Sequence, residues 1–244
     1  MNEAATAGEE ALARIAGGAM LYDASCLGHP EARVFEATYW RQTGALESAT
    51  GGRGTVAFIT TPHGQRWVLR HYRRGGLVAR LLDDRYLWTG ASRTRSFAEW
   101  RLLRQLLAWN LPVPRPVAAR YQRVGPLYRA DLLTAELPTR TTLAAALRTA
   151  PVSPDTWQAV GRCVGALHAR GVHHADLNAH NLLLGTDGTV YVLDFDRGRV
   201  RQRGAWEQQV LARLQRSLQK VTTGLPGDRF GETQWAQLLR GATG

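Results

Sequence analysis

Asp176, Asn181 and Asp194 lie in one stretch, GVHHADLNAHNLLLGTDGTVYVLDFDRGR, residues 171–199. A carboxylate and an amide oxygen are hard donors of the kind Mg²⁺ takes into its octahedral shell. A second carboxylate nearby can accept a proton from an attacking hydroxyl. The three polar groups are set among Leu, Val and Phe, where a charge is costly unless it finds a partner. The chemistry that needs such a set is phosphoryl transfer, which depends on alignment and charge neutralisation more than on covalent help.

The segment HADLNAHN, residues 174–181, fits H-x-D-L-x-x-x-N. Four specified residues at fixed spacing make a specific signal. The protein-kinase signature carries an Asp and an Asn in such a loop, then a second Asp in D-F-G after a hairpin. Here Asp176, Asn181 and Asp194 come in that order, around the turn GTDG. Asp176 is assigned as the proton acceptor, Asn181 and Asp194 as metal ligands. Asp196 stands where the signature has glycine. Asn178, His173 and His180 read as loop residues bonded to their own backbone, and His174 as a structural ring held by nearby backbone.

A kinase also needs donors for the nucleotide phosphates. GGRGT precedes a strand, so Gly52, Arg53 and Gly54 are candidates for a phosphate-covering loop, although a third spaced glycine is missing. The strand after it ends WVLRHYRRGG and has no lysine; the only lysine in the chain is Lys220. Arg70 occupies the expected place, with Glu99 on the following helix as its ion-pair partner. Arginine binds phosphate oxygens as a planar fork, so it is no simple substitute for lysine. Glu99 also fits a capping box with Ser96, and the two roles compete. The cluster Arg70, His71, Arg73 and Arg74 is either a solvated strand end or a surface facing an anionic acceptor or membrane.

The elements that must position these residues are legible from pattern. Residues 55–60 and 66–72 are β-branched and aromatic around TPHGQ, a β-hairpin. Phe97, Trp100, Leu103 and Leu107 recur at helical spacing, and LPVPRPV ends that helix. Strands are expected near 116–122 and 127–135. TTLAAALR is a short helix. SPDTWQAVGRCVGALHARG is a longer one, with Ser153 as N-cap, Pro154 in its first turn and Gly171 as its stop. Short strands at 182–184 and 190–195 flank GTDG, and helices close the chain at 204–220 and 231–240. The result is an α+β, bilobal chain. An N-terminal nucleotide-binding lobe of antiparallel strands with one helix spans 1–136, its first 45 residues unassigned. A mostly helical catalytic lobe spans 137–244.

The chain of 244 residues is 44% hydrophobic and 21% charged, an ordinary globular balance. No apolar run reaches the roughly 18 residues a membrane span needs. The N-terminus is acidic where a signal peptide is basic, so a cytoplasmic chain is expected. Cys26 and Cys163 lack metal-ligand spacing and read as free thiols. The net charge of +11 favours polyanionic partners. The 204–220 helix carries Trp206, Val210, Leu211, Leu214 and Leu218, a core-facing stripe; the alternative is a helix lying on a bilayer.

VLRHYRRGGLVARLLDDRYLWTG, SFAEWRLL, LPVP, HADLNAHNLLL and LDFDRGR together resemble the lipopolysaccharide kinase family, from about residue 20 to beyond 200, and within it the branch that phosphorylates 3-deoxy-D-manno-octulosonic acid (Kdo). The resemblance implies a protein-kinase-like fold, ATP as donor with Mg²⁺, and transfer to the 4-hydroxyl of Kdo on a lipid A precursor (Kdo-lipid IVA) in lipopolysaccharide core biosynthesis. It implies peripheral attachment to the anionic cytoplasmic face of the bacterial inner membrane, with no nucleic-acid partner. Two alternatives stand beside it. One is a small-molecule phosphotransferase of the aminoglycoside or choline type, disfavoured by the basic surplus. The other is an inactive anion- or membrane-binding scaffold, disfavoured by the complete Asp176, Asn181 and Asp194 set.

Overall fold

The computed structural model describes residues 8–28, 31–51, 55–73 and 84–243. The chain divides into two compact units, Met1–Ala108 with Arg115–Glu136, and Trp109–Pro114 with Leu137–Gly244. Its class is α+β.

The first unit is built on an antiparallel sheet. In chain order its strands are β1 (Glu10–Ile15), β2 (Gly18–Asp23), β3 (Leu46–Gly51), β4 (Thr55–Thr60), β5 (Arg66–His71), β6 (Tyr86–Leu87), β7 (Pro116–Val124) and β8 (Leu127–Ala135). They are ordered β1-β2-β7-β8-β5-β4-β3, with β6 paired to β8. Helices α1 (Ala37–Gln42) and α2 (Arg95–Ala108) complete the unit. In β5, Trp67 and Leu69 enter a core with Met20, Trp40, Ile59 and Leu133. The period of two then sends Arg70 to the other face. Phe97, Trp100, Leu103 and Leu107 form the buried stripe of α2.

The hairpin expected around TPHGQ is β4–β5, and the strands expected near 116–122 and 127–135 are β7 and β8. Within the first 45 residues the sequence shows no clean alternation, yet β1 and β2 pair there. The reason is visible in β1: an edge strand whose Leu12 is exposed has little packing to impose a pattern.

One carboxylate in this sheet, Asp131, depends on cations that sequence spacing does not connect. Arg120 and Asp131 face each other across β7 and β8, both buried, with Arg120 Nε donating to Asp131 at 2.9 Å. Arg120 also donates to Ala32 O at 3.2 Å, so this buried charge is hydrogen-bonded on more than one side. His71 Nδ1 lies 2.7 Å from the other oxygen of Asp131, and Nε2 lies 3.3 Å from Asp84. The basic cluster at 70–74 is thus partly paired and partly outside the described residues. His71 is held between carboxylates, Arg70 pairs with Glu99, and Arg74 lies outside the described residues.

The second unit contains β9 (Thr139–Thr142), α3 (Leu143–Thr149), α4 (Pro154–Ala169), β10 (Val172–His173), β11 (Leu182–Gly185), β12 (Val190–Val192), β13 (Arg199–Val200), α5 (Trp206–Thr222) and α6 (Glu232–Thr243). Ser153 caps α4 by accepting from Thr156 N at 3.2 Å, and Gly171 turns the chain with φ +67°. The strand expected at 190–195 ends at Val192, because Asp194 takes φ +63° and leaves extended geometry. On α5, Trp206, Val210, Leu211, Leu214 and Leu218 are all buried. That stripe is spent on the core, which overturns the bilayer-lying alternative. Among the described residues no helix is long and apolar enough to cross a membrane.

Helices α4 and α6 meet through glycines. A Cβ on Gly161 would lie 2.0 Å from Leu238 O, and one on Gly241 would lie 2.1 Å from Gln158 O. Helix propensity alone favours Ala over Gly by about 1 kcal/mol. At this contact overpacking wins, so Gly161→Ala is expected to destabilise by about 1–3 kcal/mol in urea denaturation. The hydrogen bond that His71 donates to Asp131 raises the pKa of His71 above its ordinary 6.5, with smaller contributions from the charge of Asp131 and from Asp84, against the cost of burial. The folded state therefore binds this proton more tightly than the unfolded state. Its contribution is fully present below about pH 6.5 and is lost as pH rises through the raised pKa. His71→Gln is expected to flatten that part of the stability–pH profile, measured by thermal unfolding between pH 5 and 9.

Candidate active site

The loop between β10 and β11 carries Asp176 and Asn181. Its underside is apolar: Leu177, Ala179, Leu182 and Phe195 are buried. Ala179 O accepts from Ala144 N at 3.0 Å, which ties the loop to α3. Asn178 forms the expected Asx turn, its Oδ1 accepting from His180 N at 2.9 Å.

His174 organises the segment. Its ring is 1% exposed and packs on Phe195 with ring centroids 4.8 Å apart. Nε2 donates to Leu193 O at 2.9 Å, and Nδ1 accepts from Asp176 N at 3.2 Å. Those two bonds define the neutral Nε2–H tautomer. Burial pushes the pKa of the ring below its ordinary value, outweighing the backbone bond and the nearby carboxylates. One rigid ring thus fixes the residue before Asp194 and the backbone of Asp176.

Around that ring the three predicted residues come together. Asn181 Nδ2 donates to Asp176 O at 3.0 Å, which turns its Oδ1 away from the loop backbone. Leu193 N donates to Asn181 O at 2.9 Å, so the strand leading into Asp194 is bonded to the loop. Asp194 holds φ +63°. A non-glycine residue in that region costs energy, and such outliers gather at functional sites. The answer to their apolar setting is geometric: hydrophobic residues lie beneath the loop while the Asp176 side chain is about half exposed, 52%, at its surface.

The donor set fits Mg²⁺. One carboxylate and one amide oxygen leave most of an octahedral shell to water and phosphate, the usual way this ion is held at transfer sites. Among the described residues no group of three or more His, Cys, Asp or Glu could hold a metal. Cys163 is buried, and burial pushes its thiol up to about 12, far from reactive.

In the first unit, Arg70 donates to Glu99 Oε1 at 2.7 Å. Glu99 is 2% exposed at its side chain, whereas Arg70 is 26% exposed. Tyr72 OH donates to the other Glu99 oxygen, and this tyrosine carries a role that spacing did not reveal. The capping box is overturned: Ser96 is buried within α2 and its hydroxyl donates to Arg120 O at 2.8 Å. Glu99 therefore serves the ion pair. Gly52, Arg53 and Gly54 lie outside the described residues; Gly51 and Thr55, which flank them, pair across β3 and β4.

Sequence reasoning also missed Arg213. It projects from α5 and makes an ion pair with Asp176. The two are 37 positions apart, and the only signal was a basic residue on the polar face of an amphipathic helix.

Replacing His174 by Phe keeps a ring but removes both bonds, leaving Leu193 O and Asp176 N without them. Each unmet buried group costs about 1–3 kcal/mol. The expected outcome is a destabilised protein in which amide hydrogens of residues 172–181 exchange faster by mass spectrometry. Unchanged exchange would remove His174 as the organiser of the loop.

The model of the Lipopolysaccharide kinase (Kdo/WaaP) family matches residues 37–241. A 3-deoxy-D-manno-octulosonic acid kinase of Stenotrophomonas maltophilia (strain R551-3) is 46% identical over 209 residues, 84% of this chain and 81% of its own length. One of the same name from Xanthomonas campestris pv. campestris (strain B100) is also 46% identical over 209 residues, with the same coverage. Another, from Xanthomonas oryzae pv. oryzae (strain PXO99A), is 45% identical over 220 residues, 88% of this chain and 84% of its own. The match takes in both the Arg70–Glu99 pair and the His174-centred loop, and on this extent of similarity the chain belongs to the lipopolysaccharide kinase (Kdo/WaaP) family.

Proposed function

We propose that this protein transfers the γ-phosphoryl group of ATP to the 4-hydroxyl of the Kdo residue on a Kdo-lipid A precursor, Kdo-lipid IVA, in lipopolysaccharide core biosynthesis. The observation that carries it is the His174-held loop. It presents one carboxylate, Asp176, beside two hard-oxygen donors, Asn181 and Asp194, in a chain whose relatives are named Kdo kinases. The small-molecule and scaffold alternatives have no comparable support.

In this mechanism the acceptor hydroxyl attacks the γ-phosphorus, the β–γ bridging bond breaks, ADP departs, and the hydroxyl proton passes to Asp176. Asn181 and Asp194 would hold Mg²⁺, which when bound neutralises charge on the phosphate oxygens. Arg70, oriented by Glu99 and Tyr72, would bind phosphate oxygens; Gly52, Arg53 and Gly54 would cover them. The work takes place at the cytoplasmic face of the bacterial inner membrane. A net charge of +11 supports attraction to that anionic surface.

The test is mass spectrometry of the Kdo-lipid A precursor after incubation with protein, ATP and Mg²⁺. A gain of one phosphate on the Kdo sugar is expected, and at least about a hundredfold loss of rate in Asp176→Ala, whose melting curve stays cooperative. No gain with wild-type protein sinks the acceptor assignment; a gain retained in Asp176→Ala removes Asp176 as the base.

A further inference from the structure

Asp176 is paired in the resting protein. Its partner, Arg213, lies on α5, and both side chains are about half exposed, 50% and 52%. A base that must take a proton from an incoming hydroxyl needs that partner to move or to be shared. The pair is weak enough to allow this, because ion pairs exposed to water contribute little to stability. The helix that carries Arg213 is by contrast firmly placed. Leu214 and Leu218 are buried, and Ser217, one turn on, accepts from Ala179 N at 3.1 Å. The Arg213 backbone is therefore held against the catalytic loop while its guanidinium end stays free to exchange partners.

Resting on the Proposed function, the acceptor is a sugar acid, and it brings a carboxylate close to the hydroxyl that reacts. We infer that Arg213 is an acceptor-positioning residue, whose guanidinium takes the carboxylate of the incoming Kdo and thereby releases Asp176 to receive the proton. The planar guanidinium fork suits a carboxylate in a way an ammonium does not. The surroundings agree in charge. Arg216 and Lys220 follow Arg213 on the same exposed side of α5. Among the described residues neither has an acidic partner within ion-pair distance. The row presents positive potential next to the reacting carboxylate, where an anionic acceptor must approach.

This assignment differs from two simpler ones. A purely structural pair would hold the loop whatever the acceptor carries. A contact with the nucleotide phosphates would act on ATP.

The experiment compares wild type, Arg213→Ala and Arg213→Lys on the Kdo-lipid A precursor and on the same acceptor with its Kdo carboxylate reduced to the alcohol. For Arg213→Ala the acceptor KM is expected to rise about 30-fold or more, with the KM for ATP unchanged. Arg213→Lys recovers part of the loss. Carboxyl reduction costs the wild type a similar factor and costs Arg213→Ala little more. An equal penalty on both acceptors in Arg213→Ala makes the pair structural and overturns the inference, as does a rise confined to the KM for ATP. Wild-type protein that phosphorylates neither acceptor overturns the Proposed function and this inference with it; phosphorylation by wild type with either adverse Arg213 result overturns this inference alone.

Discussion

A neutral imidazole between two backbone groups is the constraint on which the loop of Asp176 and Asn181 depends. His174 can donate to Leu193 and accept from Asp176 only while uncharged, since a proton on Nδ1 would point at an N–H. Burial supplies that condition by disfavouring the imidazolium. The ring therefore couples two segments, the loop with Asp176 and Asn181 and the strand end with Asp194. The left-handed backbone at Asp194 is tolerated because Phe195 is buried just after it and Leu193 is bonded on both its N–H and C=O. Local strain is held by well-packed neighbours on either side.

The same logic holds in the first unit with the roles of charge and packing exchanged. Glu99 is a nearly inaccessible carboxylate, which would be costly alone. It is satisfied by Arg70 and Tyr72, two residues of one strand end. The pair therefore serves as a gauge of alignment: α2 and β5 must be in place for the charge of Glu99 to be met, and Arg70 is then held with part of its surface toward solvent. An arginine here does not copy a lysine. Its guanidinium is a planar, multi-donor fork, where a lysine ammonium is a point charge.

Basic residues in this chain do several unrelated jobs, which the net charge alone conceals. Arg120 is a buried structural cation beneath the sheet. Arg70 serves a buried glutamate, and Arg213 meets the carboxylate at the centre of the loop. The positive surplus left after such pairings favours polyanionic partners.

What the sequence by itself determined was everything written in local spacing. The H-x-D-L-x-x-x-N motif, the Asp after the hairpin, the amphipathic stripes of α2, α4 and α5 and the Ser153 cap are short-range patterns, set by helical and strand periods and by hydrogen bonds a few residues long. The α+β class follows from their order. Local spacing left three matters open, and each was decided by a contact between distant segments. Glu99 had a capping partner three residues away and an ion-pair partner across the sheet, and the buried Ser96 hydroxyl chose between them by bonding to Arg120 O. The stripe of α5 read as core-facing with a bilayer as the alternative, and burial of its five residues decided for the core. Arg213 carried only a weak local mark, a basic residue on the polar face of an amphipathic helix. Its nearness to Asp176 exists only because α5 packs against the loop, and a side-chain contact across 37 positions is a property of packing, which no periodicity encodes.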